Sequence, residues 1–149
     1  MNAEIRPMVL ADYDEAFALW SDCEGLSLGD DDRREGIALY LRYNTGLCFV
    51  AAAEGILVGT VLAGHDGRRG ILRHLVVRPD CRRQGLGRRL VRCSLDALAA
   101  AGIGRCNLFV MDDNPAGLRF WERLGFRRLD DDYRTLQLGT GSPLAPPGP

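Results

Sequence analysis

The stretch of this sequence best suited to chemistry is an apolar strand pattern that passes through a basic loop into a helix start. It spans residues 75–87 and ends in a Gly-x-Gly pattern formed by Gly85 and Gly87. The first N–H groups of a helix have no partner within the helix, and the helix dipole adds roughly half a positive charge there. Two glycines at that point let a ligand approach the backbone, so the segment predicts a phosphate-binding site.

Arginines surround these glycines. Nine arginines lie between residues 68 and 92, and the only acidic residue in that span is Asp80. Such an excess of positive charge is unfavourable unless water or anions surround it. A Walker loop does not fit, because it needs a lysine and the chain has none. A dinucleotide-binding fingerprint fits poorly, because its third glycine is missing and the pattern lies past the middle of the chain.

Two sequence blocks resemble a known family. The pattern Arg82-x-x-Gly85-x-Gly87 resembles the acetyl-coenzyme A motif of the GNAT superfamily of N-acetyltransferases. Asn114 and the segment 120–126, Phe-Trp-Glu-Arg-Leu-Gly-Phe, are similar to the segment that closes the coenzyme site in that family. The turn at residues 64–70 is similar to that of small bacterial members. The resemblance covers roughly residues 3 to 138.

That resemblance implies a function and a cofactor site. The expected reaction is direct transfer of the acetyl group of acetyl-CoA to a primary amine, either a small amine or a protein N-terminus. In the family, the motif strand and the next strand splay apart and expose backbone groups to the pantetheine arm, while the glycine loop meets the pyrophosphate. The residues expected to bind the cofactor are Leu75, Val76, Val77, Arg82, Arg83, Gln84, Gly85, Leu86, Gly87, Arg88, Asn114 and Trp121.

The catalytic base is not defined by the sequence. An alkyl amine near neutral pH is protonated, because its pKa lies roughly three units above neutrality. Family bases often come from the motif strand, at positions that here hold Ile71 and Arg73, and neither can act as a base. His74 and His65 remain as candidates, with a packed or solvated histidine as the alternative. On a period of two His74 faces away from the site unless a bulge reorients it.

The family's usual acid is a tyrosine, and the matching position holds Trp121. Tryptophan donates a hydrogen bond but does not transfer its proton at neutral pH. Three alternatives stay open. The thiolate leaves with hydrogen-bond assistance alone, since a thiol pKa of about 8.5 makes this tolerable; another group supplies the proton; or the chain is a non-catalytic acyl-CoA-binding or regulatory module.

Composition limits the remaining possibilities. With 149 residues, 46% of them hydrophobic, we expect one domain over residues 1–138, followed by a disordered Gly/Pro-rich tail at 139–149. A net charge of −1 argues against a nucleic-acid partner. Five scattered cysteines form no Cys-x-x-Cys pair, so neither a disulfide framework nor a metal site is expected. No signal peptide or membrane-spanning run is present, which predicts a cytoplasmic protein without membrane contact, either monomer or homodimer.

The acidic residues cluster early in the chain, and three of them are consecutive at 30–32. A solvated acidic face is one interpretation of this run. The other follows from the resemblance, in which the first two helices border the acceptor site, so the run would attract a cationic amine.

The predicted elements alternate between strands and helices. Hydrophobic periodicity predicts strands at 4–9, 47–53, 56–63, 71–77, 105–111 and within 126–138, and helices at 10–23, 33–43, 86–101 and 115–124. This order predicts an α/β (α+β) fold with a mixed, mainly antiparallel sheet flanked by helices. The GNAT resemblance implies the same fold, with splayed central strands.

Overall fold

A five-stranded sheet with helices on both faces forms the body of the molecule. The computed structural model describes residues 2–129 and 134–148. In chain order the elements are β1 (Glu4–Pro7), α1 (Tyr13–Ser21), α2 (Arg34–Tyr43), β2 (Phe49–Ala53), β3 (Ile56–His65), β4 (Gly70–Val77), α3 (Leu86–Ala100), β5 (Cys106–Asn107) and α4 (Pro115–Arg123). The strand order is β1-β2-β3-β4-β5, and only the β4–β5 pair is parallel. The expected mixed, mainly antiparallel sheet is confirmed.

Two predictions about the later strands were wrong. The strand predicted at 105–111 is only the two-residue β5, because residues 108–111 have no neighbouring strand to pair with in the part of the chain that the structure describes. The strands predicted within 126–138 are absent from 126–129 and 134–138. Residues 130–133 lie outside the described residues, and the disorder expected for the tail stays a prediction.

The two faces of the sheet carry separate hydrophobic clusters. One cluster joins the sheet to α3 and centres on Leu90 and Leu98, and the other joins it to α1 and α2 around the fully buried Trp20. Helix α3 buries Ser94 as well as its apolar positions, and the Ser94 hydroxyl donates to the Leu47 carbonyl at 2.8 Å. The sheet is therefore a fixed platform with one helical layer on each side.

An ion pair fastens the first strand to the first helix. The Arg6 guanidinium donates to both carboxylate oxygens of Asp12, at 2.7 and 2.8 Å, and the Val9 N–H donates to the same carboxylate at 2.9 Å. Asp12 is 7% exposed. The hydrogen bond from Arg6 holds the pKa of Asp12 below its usual value, although burial opposes that shift.

We expect Asp12→Asn to lower the free energy of unfolding at pH 7 by an amount that shrinks as the solution is acidified. A depressed folded-state pKa stabilises the fold fully above the unfolded pKa of about 3.9, and this contribution is lost as pH falls through the folded value. Urea unfolding from pH 7 to the lowest pH at which the protein stays folded measures the difference. Asp14→Asn, at an exposed position, is the control. A difference between Asp12→Asn and the parent that does not change with pH would contradict this account.

Candidate functional site

The loop between β4 and α3 presents free backbone donors. Gly85 precedes α3 with a φ of +76°, a left-handed conformation that glycine adopts without steric cost. Within residues 2–129 and 134–148, no protein acceptor bonds the N–H groups of Gly85, Leu86, Gly87 or Arg88. Apart from Gly85 itself and its chain neighbours Gln84 and Leu86, no described residue has an atom within 4 Å of the position a Cβ would take at Gly85. Open donors of this kind at a helix start are suited to binding an anion.

The arginines of this loop divide into two groups. Two are partly committed to the fold, since Arg82 Nε donates to the Val77 carbonyl at 2.8 Å and Arg89 Nη2 donates to the Ala3 carbonyl at 3.2 Å. The side chains of Arg83 and Arg88 are exposed and make no hydrogen bond or ion pair with any described residue. These two guanidinium groups are free to bind an anion at the loop.

The loop keeps a positive field even though it contains a carboxylate. Asp80 accepts two hydrogen bonds from Arg78, at 2.6 and 3.0 Å. This pairing lowers the pKa of Asp80, so the carboxylate stays ionised and its charge is matched locally. The arginines beyond it therefore act without a competing acidic group in the loop.

A β-bulge lies in β4 at His74. The partner of Thr60 is Val76, whereas the partner of Leu62 is Arg73, so β4 contains one residue more than β3 in this interval. His74 has a φ of +50°. Leu72 and Leu75, three residues apart, both pack on the α3 side of the sheet. The bulge therefore turns His74 toward α1, which is the reorientation that the sequence left open.

The His74 ring is held by a carboxylate from another segment. Its Nε2 lies 2.6 Å from Oδ1 of Asp32, and the two side chains are only 10% and 13% exposed. The ring also stands edge to face against Trp20, with centroids 4.8 Å apart. Asp32 is fixed in turn, because its Oδ2 accepts from the Gly29 N–H at 2.8 Å and its carbonyl accepts from the Tyr13 hydroxyl at 2.7 Å. Sequence reasoning missed this pair, since 42 residues separate its members.

Threonine and tryptophan fix the backbone at the bulge. Trp20 Nε1 donates to the Thr60 hydroxyl at 2.9 Å, and that hydroxyl donates to the His74 carbonyl at 2.8 Å. Thr60 and Trp20 are both fully buried. The hydroxyl thus accepts one hydrogen bond and donates another in a site without water access, which specifies a single backbone path through the bulge.

The three consecutive aspartates have different environments. Asp30 is exposed and pairs with Arg33 at 3.1 Å, whereas Asp32 is buried against His74. Asp31 is exposed, and no ion pair to it is found among the residues that the structure describes. The run is therefore not a common acidic surface, and only one of its carboxylates remains free to attract a cation.

The other histidine lies away from this group. His65 ends β3 in an exposed turn, and its Nδ1 accepts from the Gly67 N–H at 3.0 Å. Its sheet partner is Gly70, four residues before His74 and thus about 13 Å along β4. The structure brings His74, and not His65, toward the segment that leads into the glycine loop.

Strands β4 and β5 pair only at their start. Gly70 pairs with Cys106 and Ile71 with Asn107. In the described ranges no further residue pairs join these two strands. Residues 108–111 leave the sheet, and the side chains of Phe109 and Met111 are 79% and 65% exposed. One edge of β4 beyond Ile71 is therefore open, as expected for splayed strands.

Helix α4 packs across the end of the glycine loop. A Cβ at Gly87 would lie 3.3 Å from Phe120, so the glycine allows close contact between α3 and α4 as well as any ligand approach. Trp121 stands between Phe120 and Phe126, with both ring centroids 5.2 Å away, and packs into the α3-side cluster. Phe120 belongs to the 120–126 segment that carries the family resemblance, but it was not among the residues expected to bind the cofactor.

Asn114 has the helix-capping role that its position predicts. Its Oδ1 accepts from the Gly117 N–H at 3.0 Å and so begins α4. Its Nδ2 makes no hydrogen bond to another described residue and lies 3.8 Å from the position of a Cβ at Gly25. The loop after α1 thus approaches the start of α4, and the Asn114 amide nitrogen is free to donate.

Among the described residues, no three His, Cys, Asp or Glu side chains are grouped so as to hold a metal ion. No helix in that part of the chain is long and apolar enough to cross a membrane.

Comparisons with known proteins agree with this geometry. A family model described as the acetyltransferase (GNAT) family matches residues 13–126. An acetyltransferase of Yersinia enterocolitica is 33% identical over 136 residues, which cover 91% of this chain and 93% of the relative. An uncharacterized N-acetyltransferase of Yersinia pestis matches with the same identity and coverage.

Solved structures share the fold at lower identity. PaiA N-acetyltransferase from Thermoplasma acidophilum, in complex with coenzyme A, has a TM-score of 0.78 and 19% identity over 89% of this chain and 94% of that one. AAC(6')-Iy, in complex with a bisubstrate analogue, has a TM-score of 0.75 and 17% identity over 93% of this chain and all of that one.

We expect Thr60→Val to lower the free energy of unfolding by about 1–3 kcal/mol, because it leaves the buried Trp20 N–H without its acceptor and the His74 carbonyl without its donor. At this chain length that corresponds to a fall in Tm of roughly 2–4 °C per kcal/mol. Thr45→Val removes a hydroxyl from an exposed position and is the matched control. Equal Tm values for the two variants would show that the Trp20–Thr60–His74 chain does not stabilise the fold.

Proposed function

Because this chain belongs to the GNAT family of acetyltransferases, we propose that it transfers the acetyl group of acetyl-CoA directly to the nitrogen of a primary amine. The observation that carries the proposal is the β4–α3 loop, where four backbone N–H groups and the side chains of Arg83 and Arg88 have no partner in the part of the chain that the structure describes. The acceptor is a small amine or the N-terminus of a protein.

The residues present fit a pyrophosphate group. Free N–H groups at Gly85, Leu86, Gly87 and Arg88 point from a helix start, which favours bound negative charge. Gln84 and the exposed guanidinium groups of Arg83 and Arg88 lie beside them, and Arg82 closes the loop against Val77. The loop thus offers directional donors and charge together, as two linked phosphates require.

The open edge of β4 fits the arm that follows the pyrophosphate. Leu75, Val76 and Val77 lie on β4 past its last pairing with β5. The Val77 carbonyl is already occupied by Arg82, so the groups left for a ligand come from the rest of this segment. By the GNAT resemblance Asn114, at the N-cap of α4, would donate to this arm through its Nδ2, which bonds no other described residue. When bound, acetyl-CoA supplies an acetyl group activated as a thioester.

Trp121 favours a second candidate function. By the GNAT resemblance it stands where the family has a tyrosine that acts as the general acid. It packs between two phenylalanines, and its indole cannot release a proton at neutral pH. A protein without that acid would bind the coenzyme yet transfer slowly, as a non-catalytic acyl-CoA-binding or regulatory module does. Turnover separates this candidate from the transferase.

We expect the protein to release free CoA from acetyl-CoA when a primary amine is supplied. The probes are putrescine, tyramine, glycinamide and a short peptide with a free alanine N-terminus, with CoA thiol detected by a chromogenic reagent and the acetylated amine by mass spectrometry. Ethanol and acetamide are controls, since neither carries a basic amine. Coenzyme binding without acetylation of any probe would favour the binding module.

We expect Gly85→Asp to abolish most of the stabilisation by coenzyme A. In the parent, CoA at about a hundred times its Kd should add roughly 2.7 kcal/mol to the unfolding free energy. The variant places a carboxylate among the free N–H groups. Gly102→Asp is the matched control, because that glycine also has a positive φ, of +86°, and open space around it, but lies at the other end of α3. Thermal unfolding with and without CoA measures the shifts, and an undiminished shift in Gly85→Asp would remove this loop from the site.

A further inference from the structure

We propose that His74 is the general base that deprotonates the acceptor amine, and that Asp32 is the residue that positions it. The inference rests on the proposed function and adds to it a base that the sequence pattern of the motif strand does not supply. It is carried by the bulge, by the buried His74–Asp32 contact and by the free nitrogen on the other side of the imidazole ring.

The contact with Asp32 selects the tautomer of His74. An ionised carboxylate only accepts hydrogen bonds, and Asp32 already accepts one from Gly29 on its other oxygen. Nε2 at 2.6 Å must therefore carry the proton that it donates to Asp32. In the neutral ring this leaves the lone pair on Nδ1, which is the atom able to take a proton from a substrate.

That second nitrogen is accessible. Nδ1 has no hydrogen-bond partner among the described residues. Across those residues, only the Tyr40 hydroxyl is both buried and without a partner, so Nδ1 is not sealed from solvent. One ring nitrogen is thus held by a carboxylate while the other keeps some solvent access, as a base oriented by a third group requires.

The position of His74 in β4 places it on the part of the strand that has no β5 neighbour. His74 is three residues past Ile71, the last residue paired with β5, and three residues before Val77, where the glycine loop begins. The bulge turns it from the α3 side toward α1. A left-handed φ outside glycine persists only where surrounding contacts require it, and such positions are concentrated at functional sites. Here the Thr60 hydroxyl bonds the backbone carbonyl of residue 74, and that contact does not require a histidine side chain at this position.

Acetyl transfer to an ammonium group releases two protons, and each needs an acceptor. Nδ1 removes one proton from the ammonium group of the acceptor, which frees the nitrogen lone pair. That pair forms the new C–N bond to the acetyl carbon while the C–S bond breaks and its electrons leave on the sulfur. Of the two protons lost by the ammonium nitrogen, one rests on His74 and passes to water, and the other neutralises the thiolate.

The charged and titratable groups around the ring come from three segments. Asp32 faces it from the segment before α2, and Arg73 precedes it on β4 with an exposed side chain. From α1, Tyr13 bonds the Asp32 carbonyl, and burial together with the Asp32 charge raises the pKa of Tyr13, so its hydroxyl stays neutral. Trp20 and Thr60 carry no charge. Asp32 is thus the only charged group in direct contact with His74 within the described residues.

The first test determines, in the free protein, which ring nitrogen of His74 carries the proton. The chain has two histidines, so nitrogen–proton correlation spectra give one resolved pattern for each, and His65→Gln assigns them. We expect His74 at neutral pH in the tautomer protonated at Nε2. In Asp32→Asn the amide can donate to Nε2 while its oxygen keeps the Gly29 contact, so the proton should move to Nδ1. A His74 protonated at Nδ1 in the parent protein would overturn the proposal.

The second test measures kcat/KM for acetyl transfer as a function of pH. It uses two amines, putrescine and the peptide N-terminus. His74→Gln keeps a donor toward Asp32 but removes the base, and we expect kcat/KM at pH 7 to fall by about 10²–10⁴. The loss should be larger for putrescine, whose amine pKa resembles the lysine value of about 10.4, than for an N-terminus near 8. Both losses should shrink as pH approaches the pKa of the amine. Asp32→Asn should change the profile in the same direction, and His65→Gln should not.

The outcomes separate this inference from the proposed function. An unmodified protein that binds CoA but acetylates no probe overturns the proposed function. An active parent whose pH profile survives His74→Gln overturns only the role of His74. CoA-induced thermal shifts in each variant show that folding and coenzyme binding are intact, and His74→Asn, which also tolerates a positive φ, is the second variant if His74→Gln does not fold.

Discussion

The hydrogen bond from the Thr60 hydroxyl to the His74 carbonyl holds the bulge on which the rest of the site depends. One extra residue in β4 reverses the alternation of side chains, so that the strand faces α3 with Leu72 before the bulge and with Leu75 after it. The same extra residue increases the local twist, and β4 then continues without β5 beside it. An open strand edge and a reoriented histidine thus have one structural cause.

The bulge also connects the two halves of the core. Trp20 is the largest fully buried side chain among the described residues. Its indole N–H donates to Thr60, and its ring and that of His74 pack edge to face. Helix α1 is therefore tied to β3 and β4 at His74, just before the segment of β4 that is proposed to bind the coenzyme. A buried polar chain of this kind stabilises the fold only when every member has its partner, and here each one does.

Local chemistry predicted some of this site, and long-range pairing did not. The glycine loop, the helix after it and the Asn114 cap were predictable because each follows from neighbouring residues. The His74–Asp32 pair was not, because a period-two pattern gives no sign of a bulge and three consecutive aspartates look alike in sequence. Strand β5 was predicted too long for a related reason. Residues 108–111 have strand composition, but composition does not supply a neighbouring strand.

The balance of acid and base chemistry gives the Trp121 substitution a physical interpretation. An alkyl ammonium with a pKa of about 10.4 lies some 3.4 units above pH 7, so keeping it neutral costs about 4.6 kcal/mol. A thiolate with a pKa of about 8.5 lies only 1.5 units above pH 7, or about 2 kcal/mol. Assistance to the amine is therefore worth more than assistance to the sulfur. With the proposed base at His74 and an indole at the position of the family's acid, the site would retain the larger of the two contributions.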